Sequence, residues 1–265
     1  MSGRLREVPE GILWALVHAL RMGKLKPPFT GATVEHVVGG PPWLAEELTA
    51  LTTQGLTPAA MAWGIRLLAD ERAGWRLRWD GIALTWTGPE DVVTETRDTG
   101  AVARQLFAGA HRSLLVSTYA LDEGAKGENL LAILRLQMSA HPGLDVRFYV
   151  NLGREYEDQR PSTTLLIEHV RRLRQKVFTW EPRPRVFYDR RALEPGHGPR
   201  ACLHAKVIVC DDVQTLITSA NLTEAAQERN VEAGVLIDDA AFARGVVGQF
   251  ERLVAAGVLV EARLG

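Results

Sequence analysis

Cysteine is scarce in this sequence, long apolar runs are absent, and neither sign of charge dominates. Two cysteines in 265 residues exclude a disulfide-stapled scaffold. Cys202 and Cys210 fall eight residues apart on what reads as one strand. Eight residues of strand span about 26 Å, against about 6 Å between the Cα atoms of a disulfide. Neither has another Cys or His at ligand spacing, so a zinc site is not expected, and both are read as buried thiols in a reducing compartment. No apolar run approaches the roughly 18 residues that a membrane span needs. The opening MSGRLREVPE carries acidic residues and no apolar run leading to a cleavage site, so it does not read as a signal peptide. The expectation is a soluble cytoplasmic protein with no stable membrane association.

Net charge is −1, but it is unevenly distributed. From Val170 to Lys206 there are ten Lys/Arg and three Asp/Glu; from Val207 to the end there are four Arg and nine Asp/Glu. A chain that is nearly neutral as a whole thus carries a basic stretch ahead of an acidic C-terminal stretch. Arg171, Arg172 and Arg174 read either as the solvated face of a helix or as part of a nucleic-acid-binding patch. Arg183, Arg185, Arg190, Arg191 and Arg200 fall in loop and edge segments and are stronger candidates for that patch. His197, in a Gly-His-Gly-Pro loop, receives no role.

Periodicity divides the chain into residues 1–88, a linker at 89–97, and residues 98–265. The first part reads as four short helices with Leu-rich stripes, the last starting at Thr57-Pro58 and ending near Gly74. After it, WRLRWDGIALTWTG reads as a β-hairpin turning at Asp80-Gly81, with Trp75, Leu77 and Trp79 on one face. Helices followed by a hairpin fit either a winged-helix-like shape or a small packing domain. The balance of nine basic and eight acidic residues argues against a strong DNA reader. Six of the seven tryptophans lie in this part and are read as core. From residue 98 onward helices and strands alternate, which predicts an α/β domain with a sheet covered on both faces.

The chemistry concentrates between Ala201 and Ile237. A strand alternates its side chains, so Leu203, Ala205, Val207 and Val209 face one way and His204, Lys206 and Ile208 the other. After an Asp211-Asp212 turn the next strand returns antiparallel and ends at Ser219-Ala220-Asn221. Glu232 then opens a third strand. Phosphodiester cleavage through a covalent intermediate needs a neutral nitrogen nucleophile and fixed donors for the charge on the equatorial oxygens. His204 fits the first need, Lys206, Ser219 and Asn221 the second, and Glu232 can orient an imidazole. A lone strand histidine is ordinarily an unremarked core or surface residue; five such residue types at these offsets are not. The Asp211-Asp212 pair reads as turn chemistry rather than a Mg²⁺ site, because adjacent turn residues point apart.

HAKVIVCD fits the H-x-K-x4-D signature of the phospholipase D superfamily, TSAN its following Ser-x-Asn element, and Glu232 falls where that family has its acidic residue. The spacing resembles that of the superfamily's minimal, one-motif endonucleases. The resemblance implies a phospholipase-D-like mixed sheet flanked by helices, with His204 attacking phosphorus and Lys206, Ser219 and Asn221 on phosphate oxygens. It further implies that Glu232 positions the histidine and that Asp211 is mainly structural, with no metal or cofactor. Beyond the motif, KPPFTGATVEHVV, WTGPE…RDT and TSANLTEAAQERNVEAGVLIDD resemble the phospholipase-D-like components of bacterial DISARM anti-phage defence. That likeness implies a cytoplasmic protein encoded with helicase and DNA methyltransferase partners.

An in-line displacement needs an acid on the far side of phosphorus to protonate the leaving oxygen. None of the other six histidines is followed two residues later by Lys, so the chain holds a single motif. One-motif members of the superfamily pair two chains, which predicts a two-fold homodimer with both His204 residues at its active-site face. Three functions stay open. A nuclease acting on DNA, or less readily RNA, is favoured by the basic stretch. A phospholipase would want a Trp/Phe- and Lys-rich amphipathic helix, and the sequence offers none. A nucleic-acid-binding scaffold with an idle site is the third.

Overall fold

The structure, a computed structural model, describes residues 3–89, 96–123, 128–196 and 200–264. Most of the expected linker, and His197, lie outside the described residues. The chain divides into two compact units, Met1–Asp80 and Gly81–Gly265.

The first unit is helical. It comprises α1 (Glu10–Arg21), α2 (Gly31–Val38), α3 (Leu44–Thr53) and α4 (Pro58–Asp80). Local chemistry sets the ends of these helices. The Thr30 hydroxyl accepts the Thr33 N–H at 3.2 Å and the Thr57 hydroxyl accepts that of Ala60 at 3.2 Å, both as N-caps. Gly39 closes α2 at φ 66°, a left-handed conformation that costs glycine little. The core is aliphatic, built from Leu13, Leu16, Leu20, Val34, Leu44, Leu48, Met61 and Ile65. Each such side chain contributes about 1.5–3 kcal/mol on full burial.

Two expectations fail in this unit. The expected hairpin at residues 75–87 does not form: α4 runs through Gly74 to Asp80, and the strand after it pairs elsewhere. Mid-helix glycine costs only about 1 kcal/mol, and tertiary ties offset it. Arg72 donates to the Val8 carbonyl, and Arg76 pairs with Glu10 at 3.1 Å. With no hairpin, the winged-helix reading loses its wing. Of the six tryptophans read as core, Trp43 alone packs half-buried against it. Met61, Ala62, Ile65 and Ala69 turn inward from α4, so Trp63 faces out at 63% exposure and Trp79 at 67%. Trp14, Trp75 and Trp86 are exposed too.

The second unit holds one mixed sheet. Its strands are β1 (Ile82–Thr87), β2 (Arg97–Asp98), β3 (Ser113–Thr118), β4 (Asp145–Val150), β5 (Arg185–Asp189), β6 (Val207–Cys210), β7 (Gln214–Thr218), β8 (Glu232–Asp238) and β9 (Leu259–Glu261). Among the described residues the spatial order is β2-β1-β8-β7-β6-β3-β4-β5-β9. β3, β4 and β5 run parallel; β6, β7, β8 and β1 form an antiparallel run that joins at β3. The helices are α5 (Thr99–Gly109), α6 (Glu128–Ala140), α7 (Ser162–Arg172), α8 (Glu224–Glu228) and α9 (Ala240–Ala255). Together with the sheet they give the mixed α/β architecture expected.

β3 reads S-L-L-V-S-T with no polar alternation because both its faces are covered. Leu114 and Val116 join the core shared with Phe107, Leu134 and Phe148, whereas Leu115 packs with Ala243, Val247 and Phe250 of α9. That second cover is incomplete. On β1 the threonines Thr85 and Thr87 are buried, while Ile82, Leu84 and Trp86 are exposed, Leu84 at 54%. In register with Leu84 stand Val235 on β8 and then Ile217 on β7, which is also exposed. A strip of apolar sheet surface is therefore open to solvent. Among the described residues no helix is long and apolar enough to cross a membrane. Of the two thiols, Cys210 is buried and desolvation pushes it up to about 12, whereas Cys202 is exposed, contrary to expectation, because the segment before Val207 is not strand.

β8 lies between β1 and β7, and Gly234 is where the three approach most closely. A Cβ there would come within 2.6 Å of Thr85 Oγ1 and 2.8 Å of both the Ile217 carbonyl and Thr218 Cβ. Gly234→Ala is expected to lower unfolding stability by about 1–3 kcal/mol through overpacking. A urea titration checks this; an unchanged midpoint would contradict it.

Candidate active site

The segment 203–206 enters β6 at the end of the sheet where β3 and β4 finish, and neighbouring strands hold it. Asn151, just after β4, accepts the Leu203 N–H at 3.3 Å. Ser117 of β3 donates to the Ala205 carbonyl at 2.9 Å, and the Thr218 N–H reaches the Lys206 carbonyl at 3.2 Å. The expected alternation survives: Leu203, Val207 and Val209 pack toward α9, and Ile208 and Cys210 toward the opposite core. His204 is exposed. Lys206 is buried, with 9% exposure, and its ammonium lies 3.3 Å from both ring nitrogens of His204 and 3.0 Å from the His204 carbonyl.

Across the β6–β7 hairpin, the Ser-Ala-Asn corner brings Asn221 to the same place. Lys206 and Asn221 line one small cavity, with Ser117, Thr218 and Gln227. The Asn221 carbonyl oxygen accepts the Ala120 N–H at 3.1 Å, which leaves its amide N–H₂ as a fixed donor. Thr118 braces the corner by accepting the Leu222 N–H at 3.2 Å.

Ser219 and Glu232 pair with each other. The Ser219 hydroxyl donates to the Glu232 carboxylate and accepts the Ala233 N–H at 3.1 Å, and Asn230 donates to the other carboxylate oxygen at 3.0 Å. Within a single chain Glu232 thus meets Ser219 rather than His204. Tyr119 was not anticipated. Its ring, tilted by 59°, has its centroid 5.0 Å from that of His204, and it ends the β3 strand only one residue past its last pairing. Its proximity is a tertiary fact, since 85 residues of sequence separate the two.

Asp211 is a brace. Asp211 and Asp212 both adopt positive φ (53° and 57°), which makes the two-residue turn of the β6–β7 hairpin. The Asp211 carboxylate accepts the N–H groups of His111 at 3.1 Å, Arg112 at 2.8 Å and Ser113 at 2.9 Å. Desolvation pushes this carboxyl up, but those three N–H groups and the Arg112 charge outweigh it and hold it below the ordinary range. The described residues contain no group of three or more His, Cys, Asp or Glu placed to hold a metal ion.

The eight arginines do not gather around His204. Arg172 pairs with Glu123, Arg183 with Glu181, Arg185 with Glu261 at 3.1 Å and Arg191 with Asp189 at 2.7 Å. Arg200 donates to the carbonyls of Arg154, Glu155, Tyr156 and Gly196 at 2.9–3.2 Å, so it ties the approach to His204 onto the loop after β4. Arg171, Arg174 and Arg190 carry no ion pair among the described residues.

Residues 104–254, more than half of the chain, match the family described as "Cardiolipin synthase, PLD-like domain". A curated relative, the DISARM protein DrmC of Bacillus paralicheniformis, is 27% identical over 155 residues, covering 57% of this chain and 54% of that protein. The chain thus spans about half the length of that relative. Among solved structures, the phospholipase D family member Nuc of Salmonella typhimurium aligns with a TM-score of 0.40 at 16% identity, over 64% of this chain and 93% of that one. NucT of Helicobacter pylori aligns with a TM-score of 0.44 at 16% identity, over 66% and 96%. Phosphatidylserine synthase of Haemophilus influenzae Rd KW20 aligns with a TM-score of 0.47 at 16% identity, over 79% and 48%.

Because a folded-state carboxyl held low contributes stability above its unfolded value, Asp211→Asn should cost about 1–2 kcal/mol near neutral pH. Wild type should lose this advantage as pH falls through the lowered Asp211 range, below the ordinary value of 3.8. Urea unfolding of both proteins from neutral to acid pH measures it; a gap that does not narrow in acid would refute the assignment.

Proposed function

The chain belongs to the phospholipase-D-like domain family, and from that premise we propose that it is a metal-independent phosphodiesterase acting on nucleic acid, DNA in preference to RNA, in anti-phage defence. The observation that carries the reading is the pairing of an exposed imidazole with a buried ammonium 3.3 Å away, in reach of an amide whose acceptor end is already occupied. A ring nitrogen of His204 attacks phosphorus while the bond to the leaving oxygen breaks. Lys206 and Asn221 hold the non-bridging oxygens, where charge concentrates in the transition state. Water then displaces the histidine from the phosphoryl group, which leaves as a phosphate monoester.

Each step needs a proton moved on the far side of phosphorus, first to the leaving oxygen and then from the attacking water. The partner's His204 serves both steps in a two-fold dimer. The exposed His204 and the single histidine motif support that arrangement. Likeness to the DISARM relative supports the defence role and other DISARM components as partners. Cytoplasmic residence, and an N-terminal helical domain separate from the catalytic unit, belong to the same reading. Arg190, on the site end of β5, remains a cation available to a bound strand.

Plasmid and single-stranded substrates in EDTA test the activity. Nicking is expected, and His204→Ala should lower it by at least about 10³-fold. Substrate labelled at phosphorus should mark residue 204 in wild type. Cleavage of liposomal phospholipid without nicking would favour a lipase, and binding without turnover an idle scaffold. For the dimer, sedimentation of the active wild type is expected to show two chains; a fully active wild-type monomer would defeat the shared-site scheme.

A further inference from the structure

A groove of about 780 Å³ opens on the second unit between α7 and the last strand. Leu166, Ile167 and Val170 form one wall, and Leu166 and Val170 are continuous with the main core. Arg171, Arg174, Arg183 and Arg263 stand around it with Glu261. Two of these charges are spent: Arg183 is paired with Glu181, and Glu261 is occupied by Arg185 at 3.1 Å. Arg171, Arg174 and Arg263 carry no ion pair among the described residues, and they come from two separate segments. Cations at a helix C-terminus are ordinarily explained by the helix dipole. That account does not reach Arg263, which follows β9 and converges on the same space.

The groove is not part of the catalytic centre. His204 sits where β3 and β4 end, whereas Arg183 precedes β5 and Arg263 follows β9, which places both at the other end of the sheet. With strands about 4.8 Å apart and β5 about 17 Å long, the separation is on the order of 20 Å.

We propose that this groove binds a free nucleoside di- or triphosphate, its phosphates on Arg171, Arg174 and Arg263 and its base against Leu166, Ile167 and Val170. Three unpaired guanidinium groups match the charge of such a polyphosphate and suit its oxygens through bidentate donation. The volume is that of a small-molecule site with an apolar wall and few polar anchors. A nucleic-acid strand needs a charge track that continues past the groove. Here the flanking cations Arg172, Lys176 and Arg185 are neutralised by Glu123 and Glu261, so the track stops at the rim.

Calorimetry on the full chain with ATP, ADP, pyrophosphate and a short single-stranded oligonucleotide tests the site. ATP and ADP should saturate it, pyrophosphate should bind more weakly, and Arg174→Glu with Arg263→Glu should weaken ATP by more than about tenfold. Ile167→Asp should weaken ATP and leave pyrophosphate unchanged, and His204→Ala should alter neither. These side chains are exposed, and a thermal melt verifies each fold; Arg174→Gln repeats the test should the double variant melt early. Equal binding of ATP to wild type and the arginine variants would overturn the proposal. So would pyrophosphate binding as tightly as ATP, an oligonucleotide outcompeting the nucleotides, or no saturable binding at all.

Discussion

The Asp211 carboxylate, receiving three backbone N–H groups from the start of β3, is the interaction on which the rest of the catalytic unit depends. It locks the tip of the β6–β7 hairpin to the strand beside it. A hairpin pinned at its tip has its register set along both arms, and a one-residue slip would turn every side chain to the wrong face. The open end of the same hairpin carries His204 and Lys206 on one arm and Ser219 and Asn221 beyond the other. A residue at the far end of the hairpin thus decides whether His204, Lys206 and Asn221 meet.

At that open end the segment 203–206 is held by bonds from Asn151, Ser117 and Thr218 rather than by strand pairing of its own. This suits an exposed nucleophile beside a buried cation. The His204 ring keeps access to substrate, while the Lys206 stem is covered and its head is fixed by the His204 carbonyl. The covering of the sheet is equally uneven. α9 closes one face over β3, β4 and β6, and leaves Ile217, Leu84 and Trp86 exposed.

Much of the second unit was legible because its signals are local. The alternation of helix and strand from residue 98 onward is found as read, from α5 and β3 through to α9. Failures came where distant contacts outweighed local preference. The alternation of Trp75, Leu77 and Trp79 imitates a strand, but Arg72 and Arg76 tie that stretch as helix to Val8 and Glu10. Tryptophan is large enough to read as core, yet α4 turns its smaller Met61, Ala62 and Ile65 inward. The arginines read as one basic patch because a sequence carries no record of partners, and Glu123, Glu181, Asp189 and Glu261 take half of them.

By itself the sequence determined the fold class, the candidate site's residue types, and their order along one hairpin, since these follow from side-chain chemistry and a period of two. Only the tertiary structure decided that Glu232 meets Ser219 within one chain, that Tyr119 stands against His204, and which arginines keep a free charge. Those outcomes depend on which strands become neighbours, and strand order arises from burial summed over the whole sheet rather than from any local run of residues.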